Sequence, residues 1–176
     1  MKKIFNLMIA FAIALTITSC KHDVYNETIK KDVAEMTAKY GEDLIFYESH
    51  AVLNKTIEEA KSYKGLDVAE CENIFQVRDT CYTITHDFVK GTTEVTAVDD
   101  YWLGSCELNP DEFNLTITDA LKVYFENDQY KTTGNKITLR APVGPVQMNP
   151  MYIIGQHNSP MFVSVDAITG KVGTLR

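Results

Sequence analysis

The spacing of apolar and polar positions divides the chain into a helical opening and a strand-rich remainder. Ile29, Val33, Met36 and Tyr40 recur at three- and four-residue intervals and so fall on one face of a helix, with Asn26 as its cap and Gly41 as its stop. The run Leu44-Ile45-Phe46-Tyr47 suits a buried strand or further helical turns; taken as helix, it makes residues 27–53 an N-terminal helical segment. Farther on, β-branched and aromatic stretches mark strands at 73–78, 81–88 and 94–103, with a turn at Gly91, and again at 136–141, 151–155, 161–167 and 171–175.

Two short segments echo each other sixty residues apart. Asn54-Lys55-Thr56-Ile57-Glu58-Glu59-Ala60 and Asn114-Leu115-Thr116-Ile117-Thr118-Asp119-Ala120 share Asn, Thr, Ile, an acid and Ala at the same offsets. In each, the threonine hydroxyl can accept from the third backbone N–H while the acid reaches back, a capping box that predicts a helix start. A helix followed by antiparallel strands is thus expected twice, over 54–109 and over 110–176. The fold class expected is α+β, with helices packed on antiparallel sheet.

The second unit carries a family likeness. Leu115-Thr116-Ile117, Ile137-Thr138-Leu139, Tyr152-Ile153-Ile154 and the closing Val163-Ser164-Val165-Asp166-Ala167-Ile168-Thr169-Gly170-Lys171-Val172 resemble the PepSY domain over roughly the last 60 residues. That resemblance implies a helix on an antiparallel sheet with a terminal hairpin. The hairpin also has a purely physical account: Val163 and Val165 alternate inward, Asp166 holds the turn and Gly170 takes the left-handed position. Pro142, Pro145 and Pro150 depart from the family pattern by stiffening one connection. The first unit is degenerate, since Val95 to Asp99 is followed by no Thr-Gly turn. Tandem units of this kind resemble protein inhibitors of the β-lactamase inhibitory type, and the likeness implies non-catalytic protein binding, directed at a peptidase or another enzyme.

The first nineteen residues change the picture by giving an address. Met1-Lys2-Lys3 is a short cationic start, Ile4 to Ile17 is almost wholly apolar, and Thr18-Ser19 closes the run, as in a signal peptide. The apolar stretch falls short of the roughly 20 residues of a spanning helix. Ile17-Thr18-Ser19-Cys20 resembles the lipobox of bacterial lipoproteins, which implies acylation of Cys20 and an outer-membrane lipoprotein of a Gram-negative envelope. Lys21-His22-Asp23 partly resembles a surface-export signal, leaving periplasmic and cell-surface orientations both open. Residues 20–26 are expected to be a short tether.

Removing Lys2 and Lys3 with the leader leaves 15 basic against 24 acidic residues, a formal charge of −9. Such a domain offers no basic footprint for nucleic acid. The mature chain keeps Cys71, Cys81 and Cys106 in an oxidising compartment. A Cys71–Cys106 disulfide is favoured because the two flank the strand-rich stretch between them, with Cys81–Cys106 as the alternative. The spacings lack the short Cys pairs of zinc sites, so neither metal nor cofactor is expected.

The function expected is a lipid-anchored protein-binding module, with Tyr82, Tyr101 and Trp102 as contact residues because aromatic anchors carry much interface energy. A carrier of a small apolar ligand between helix and sheet is the alternative, and a cysteine-dependent enzyme a remote one. Of its histidines, His50, His86 and His157 fall in unrelated contexts, and His86 alternates with Tyr82, Ile84 and Phe88 as a partly buried strand histidine. No catalytic residue is assigned.

Overall fold

The computed structural model describes residues 21–102, 106–142 and 149–175. The leader and Cys20 lie outside the described residues. Helix α1 (Lys21–Tyr40) is followed by strands β1 (Leu44–Leu53), β2 (Val68–Val77), β3 (Thr80–Asp87) and β4 (Thr92–Val98). Helix α2 (Ile117–Glu126) is followed by β5 (Lys136–Arg140), β6 (Met151–Ile154), β7 (Phe162–Asp166) and β8 (Val172–Leu175).

All eight strands join in one antiparallel sheet of order β4-β3-β2-β1-β5-β6-β7-β8. Each half is a meander led by a helix, and the halves meet where β1 pairs with β5. The molecule is therefore mixed α+β and mostly sheet. Among the described residues both α-helices lie on one face, where α1 packs on β1, β2 and α2, and α2 packs on β7. Tyr25, Ile29, Met36, Phe46, Phe75, Ile117, Leu121, Tyr152, Val163 and Val165 fill the space between helices and sheet.

Several expectations need correction. Residues 21–26 are not a tether, because α1 begins at Lys21. Asn26 consequently does not cap α1; it sits inside it, where its Oδ1 accepts from the Ile117 N–H at 2.9 Å and its Nδ2 donates to Tyr152 Oη at 2.9 Å. Residues 44–53 form a central strand instead of a helix. Tertiary context decides there: Ser49, Ala51 and Leu53 face the helices while Glu48, His50 and Val52 face away, a period of two that the opening Leu-Ile-Phe-Tyr run conceals.

The echo also resolves unequally. Thr116 and Asp119 form a complete capping box at the start of α2, whose Ile117, Ala120, Leu121 and Tyr124 are buried. At the earlier copy the Thr56 N–H donates to Glu59 Oε2 at 3.1 Å, yet no α-helix follows, only a single 3-10 turn at Tyr63–Gly65. Ile57 is buried and the Glu58 carboxylate accepts from the Gly134 N–H at 2.8 Å, so this segment is a turn tied to the loop before β5. The helix that leads the first meander is α1, so the unit expected over 54–109 lacks its helix.

β3 and the strands of the second meander lie within a residue of their expected bounds, whereas β2 begins five residues before the expected 73 and β4 ends five residues before the expected 103, leaving Tyr101 and Trp102 outside it. The last hairpin folds as its residues dictate. Asp166 Oδ1 accepts from the N–H groups of Ile168 and Thr169, and Gly170 adopts φ +73° to turn the chain into β8.

Candidate functional site

Antiparallel pairing sorts the side chains of the central strands onto two faces, and each face carries a polar cluster. On the helix-covered face, Ser49 of β1, Cys71 and Asn73 of β2 and His86 of β3 lie beneath Asp32 of α1. Asp32 Oδ2 accepts from Asn73 Nδ2 at 2.7 Å and lies 2.7 Å from His86 Nε2. Ser49 Oγ donates to Asn73 Oδ1 at 2.6 Å, and the Cys71 thiol donates to the same oxygen at 3.5 Å. His86 Nδ1 meets Thr93 Oγ1 at 3.0 Å, and Tyr25 Oη donates to the Ser49 carbonyl at 3.4 Å.

A thiol and an imidazole thus stand on neighbouring strands, but their bonds run to other groups. Burial pushes the Cys71 thiol up to about 12, and its whole surface is covered. Near neutral pH it stays protonated, which is the opposite of an activated nucleophile. The cluster fastens α1 to the sheet by satisfying every group that it buries.

On the other face the centre of the sheet carries Glu48, His50 and Glu72, with Arg140 and Lys136 beside them. His50 Nε2 lies 2.8 Å from Glu48 Oε1, and His50 Nδ1 lies 3.2 Å from Glu72 Oε1. Glu48 Oε2 faces Arg140 Nε at 3.8 Å. Burial alone would lower the His50 pKa, but hydrogen bonds to the two carboxylates outweigh it and hold the imidazole at about 9. The same hydrogen bond from His50 keeps the Glu72 carboxyl below the usual range. The group is an imidazolium clamped between two carboxylates at neutral pH, so it is poorly placed to accept a proton there.

A shallow cleft of about 250 Å³ opens between His50, Glu70, Glu72, Lys136 and Thr138. Pockets for small organic ligands usually run from about 300 to 1,000 Å³. This one suits a single inserted side chain better. Thr83 and Thr85 of β3 extend the same face toward β4.

The residues singled out in the sequence are scattered across this frame. Cys71 and Cys106 do not pair: Cys71 is sealed under α1, Cys106 lies in an exposed loop, and Cys71, Cys81 and Cys106 are all free thiols. Tyr82 lies on the helix face against the Tyr40 ring, with centroids 5.3 Å apart. Tyr101 is 59% exposed and its hydroxyl donates to Asp79. The Trp102 backbone N–H donates to Gln76 Oε1 at 2.8 Å, and Trp102 is half-buried, with its indole Nε1 covered and without a hydrogen-bond partner among the described residues, so it is not an exposed anchor. Tyr101 and Trp102 are therefore adjacent and Tyr82 is apart from them. His157 is an exposed turn residue between β6 and β7.

Sequence reasoning missed the Glu48, His50 and Glu72 group. The Glu48-x-His50 alternation was a visible signal, but Glu72 joins it only through the β1–β2 register.

No protein-family model matches this chain, and no curated protein matches it either. Among solved structures the chain is similar to a Clostridium difficile 630 protein provisionally named a lipoprotein. That pair shares 12% identity at a TM-score of 0.49, covering 83% of this chain and 91% of the other.

Proposed function

We propose that the chain is a lipid-anchored cell-envelope protein acting as a non-catalytic binding module that takes a protein partner on the helix-free face of its sheet. The observation that carries this reading is the asymmetry of the sheet: both helices cover one face, while the other presents the charged centre of Glu48, His50, Glu72, Lys136 and Arg140. Tyr101, 59% exposed, supplies aromatic surface at its rim. The two helix-led meanders support the reading of tandem PepSY-like units, with restraint of a peptidase or other enzyme as the role. The lipobox at Ile17 to Cys20 supports anchoring in the outer membrane.

Two measurements test it. Metabolic labelling with palmitate marks the wild-type chain and fails with Cys20→Ser; labelling that survives the substitution defeats the anchor. Chemical crosslinking in intact envelopes yields a reproducible adduct that Glu72→Arg together with Thr85→Arg abolishes, while Glu35→Arg on α1 leaves it intact. An adduct lost only with the α1 substitution places the partner on the other side of the molecule and defeats the binding face.

A further inference from the structure

Helix α1 begins at Lys21, one peptide bond after Cys20, so no free linker separates the folded domain from the acylation site. From Tyr25 onward the helix is fixed to the sheet. Tyr25 is fully buried and its hydroxyl donates to the Ser49 carbonyl, and Ile29 is buried one turn further on. Five residues of helix and one peptide of about 3.8 Å keep the Cys20 Cα within about 12 Å of the Asn26 Cα. A flexible segment of that length would reach about 20 Å in any direction.

The bonds of Asn26 show which part of the molecule lies there. Its side chain holds the Ile117 N–H and the Tyr152 hydroxyl, and that hydroxyl donates to the Leu115 carbonyl at 2.9 Å. The same stretch is tied to the turn after β7, because Asn114 Nδ2 donates to the Ile168 carbonyl at 3.1 Å and the Asn114 and Leu115 N–H groups donate to the Ala167 carbonyl. The starts of both helices and the β7–β8 turn therefore form one corner. The far edge, β4, stands five strand intervals from β6, about 24 Å at about 4.8 Å each. The other end of α1, at Tyr40, is about 28 Å from Lys21.

We propose that the unbroken helix holds this corner against the lipid headgroups of the bilayer that anchors Cys20, so that the domain stands in one orientation with its β4 edge turned away. The inference rests on the lipid anchor proposed above. Acyl chains keep Cys20 at the bilayer surface, and with no slack behind it the surface meets the parts of the domain nearest the start of α1. The exposed residues of the corner are polar, Asn114, Asp119, Thr169 and Lys171, which suits contact with headgroups and opposes entry into hydrocarbon. The exposed apolar residues Val89, Val95 and Val98 lie at the far edge. In this orientation the part of the helix-free face that carries Thr83 and Thr85 stands clear of the bilayer and open to a partner.

The test uses the full lipidated chain, reconstituted from its envelope into phosphatidylcholine vesicles that carry a nickel-chelating lipid, with Cys81→Ser and Cys106→Ser as background. A nitroxide on Lys171→Cys is broadened by the nickel several-fold more than one on Val89→Cys. Inserting a flexible Gly-Ser segment of about six residues between Cys20 and Lys21 brings the two values together. Equal broadening without the insertion, stronger broadening at Val89→Cys, or a difference that survives the insertion overturns the proposal. Palmitate labelling of the same preparations tells the two readings apart. Labelled protein with equal broadening sinks the orientation alone, whereas unlabelled protein sinks the anchor and the orientation with it.

Discussion

The two helices are held to one sheet by different physics. Beneath α1 lies a chain of hydrogen bonds in which Asp32 joins His86 and Asn73, and Asn73 joins Ser49 and Cys71. Beneath α2 the contact is apolar, with Ile117, Ala120 and Leu121 set against strands that bury Tyr152, Val163 and Val165. Apolar packing is non-directional, whereas a buried polar network is satisfied in only one arrangement. The difference implies that α2 mainly supplies stability, while α1 is fixed in position along β1, β2 and β3. Asn26 and Tyr152 couple the two regions, because the α1 carboxamide bonds the first N–H of α2.

The comparison breaks first at Asp32. Its side chain is 3% exposed, and Asp32→Ala leaves Asn73 Nδ2 and His86 Nε2 buried without their acceptor. Leaving two buried donors without their acceptor costs about 1–3 kcal/mol each, read as a lower urea midpoint. A loss below about 1 kcal/mol would show that apolar contacts alone position α1.

Leu121→Ala probes the other interface. Leu121 is fully buried, and its truncation costs about 3 kcal/mol through lost transfer energy and a cavity. Because the two sites share no bonded partner, Asp32→Ala and Leu121→Ala together should be additive within about 0.5 kcal/mol. A larger discrepancy would mean that the Asn26 link transmits strain between the helices.

This contrast also explains what could be read from the chain. The apolar stripe and capping box of α2 are local patterns, and so are the strands of the second meander and the Asp166 to Gly170 turn. The α1 network is not local: Asp32, Asn73 and His86 become neighbours only through the pairing of β1, β2 and β3. The same holds for His50 and Glu72. Thr56 and Glu59 misled because a capping pattern promises a helix only if an apolar face follows, and Ile57 alone is buried in that turn.

A pH titration separates the helix side of the sheet from the open side. The folded pKa of His50, about 9, lies above its unfolded value near 6.5. Its contribution is therefore fully present below about pH 6.5 and is lost as pH rises through about 9. With its side chain 36% exposed, solvent screening reduces the expected amount to about 1–2 kcal/mol. Thermal unfolding at pH 6 and pH 9.5 should show that loss in the wild type, and a smaller one in His50→Gln. Equal losses in both chains would move the titrating group elsewhere.

The smallest effect sharpens the comparison at the helix ends. Thr116 Oγ1 accepts from the Asp119 N–H at 3.2 Å, while the Thr116 N–H donates to Asp119 Oδ2 at 2.9 Å. Losing the hydroxyl acceptor of such a cap costs about 1 kcal/mol. Thr56→Ala, at the matching place in the echo, removes no helix cap and should stay within about 0.5 kcal/mol. Equal losses at both positions, measured by urea unfolding, would mean that the 54–60 turn depends on its threonine as much as α2 does. The unequal outcome follows from burial: α2 has four inward residues to hold once its first turn forms, and the turn at Thr56 has only Ile57.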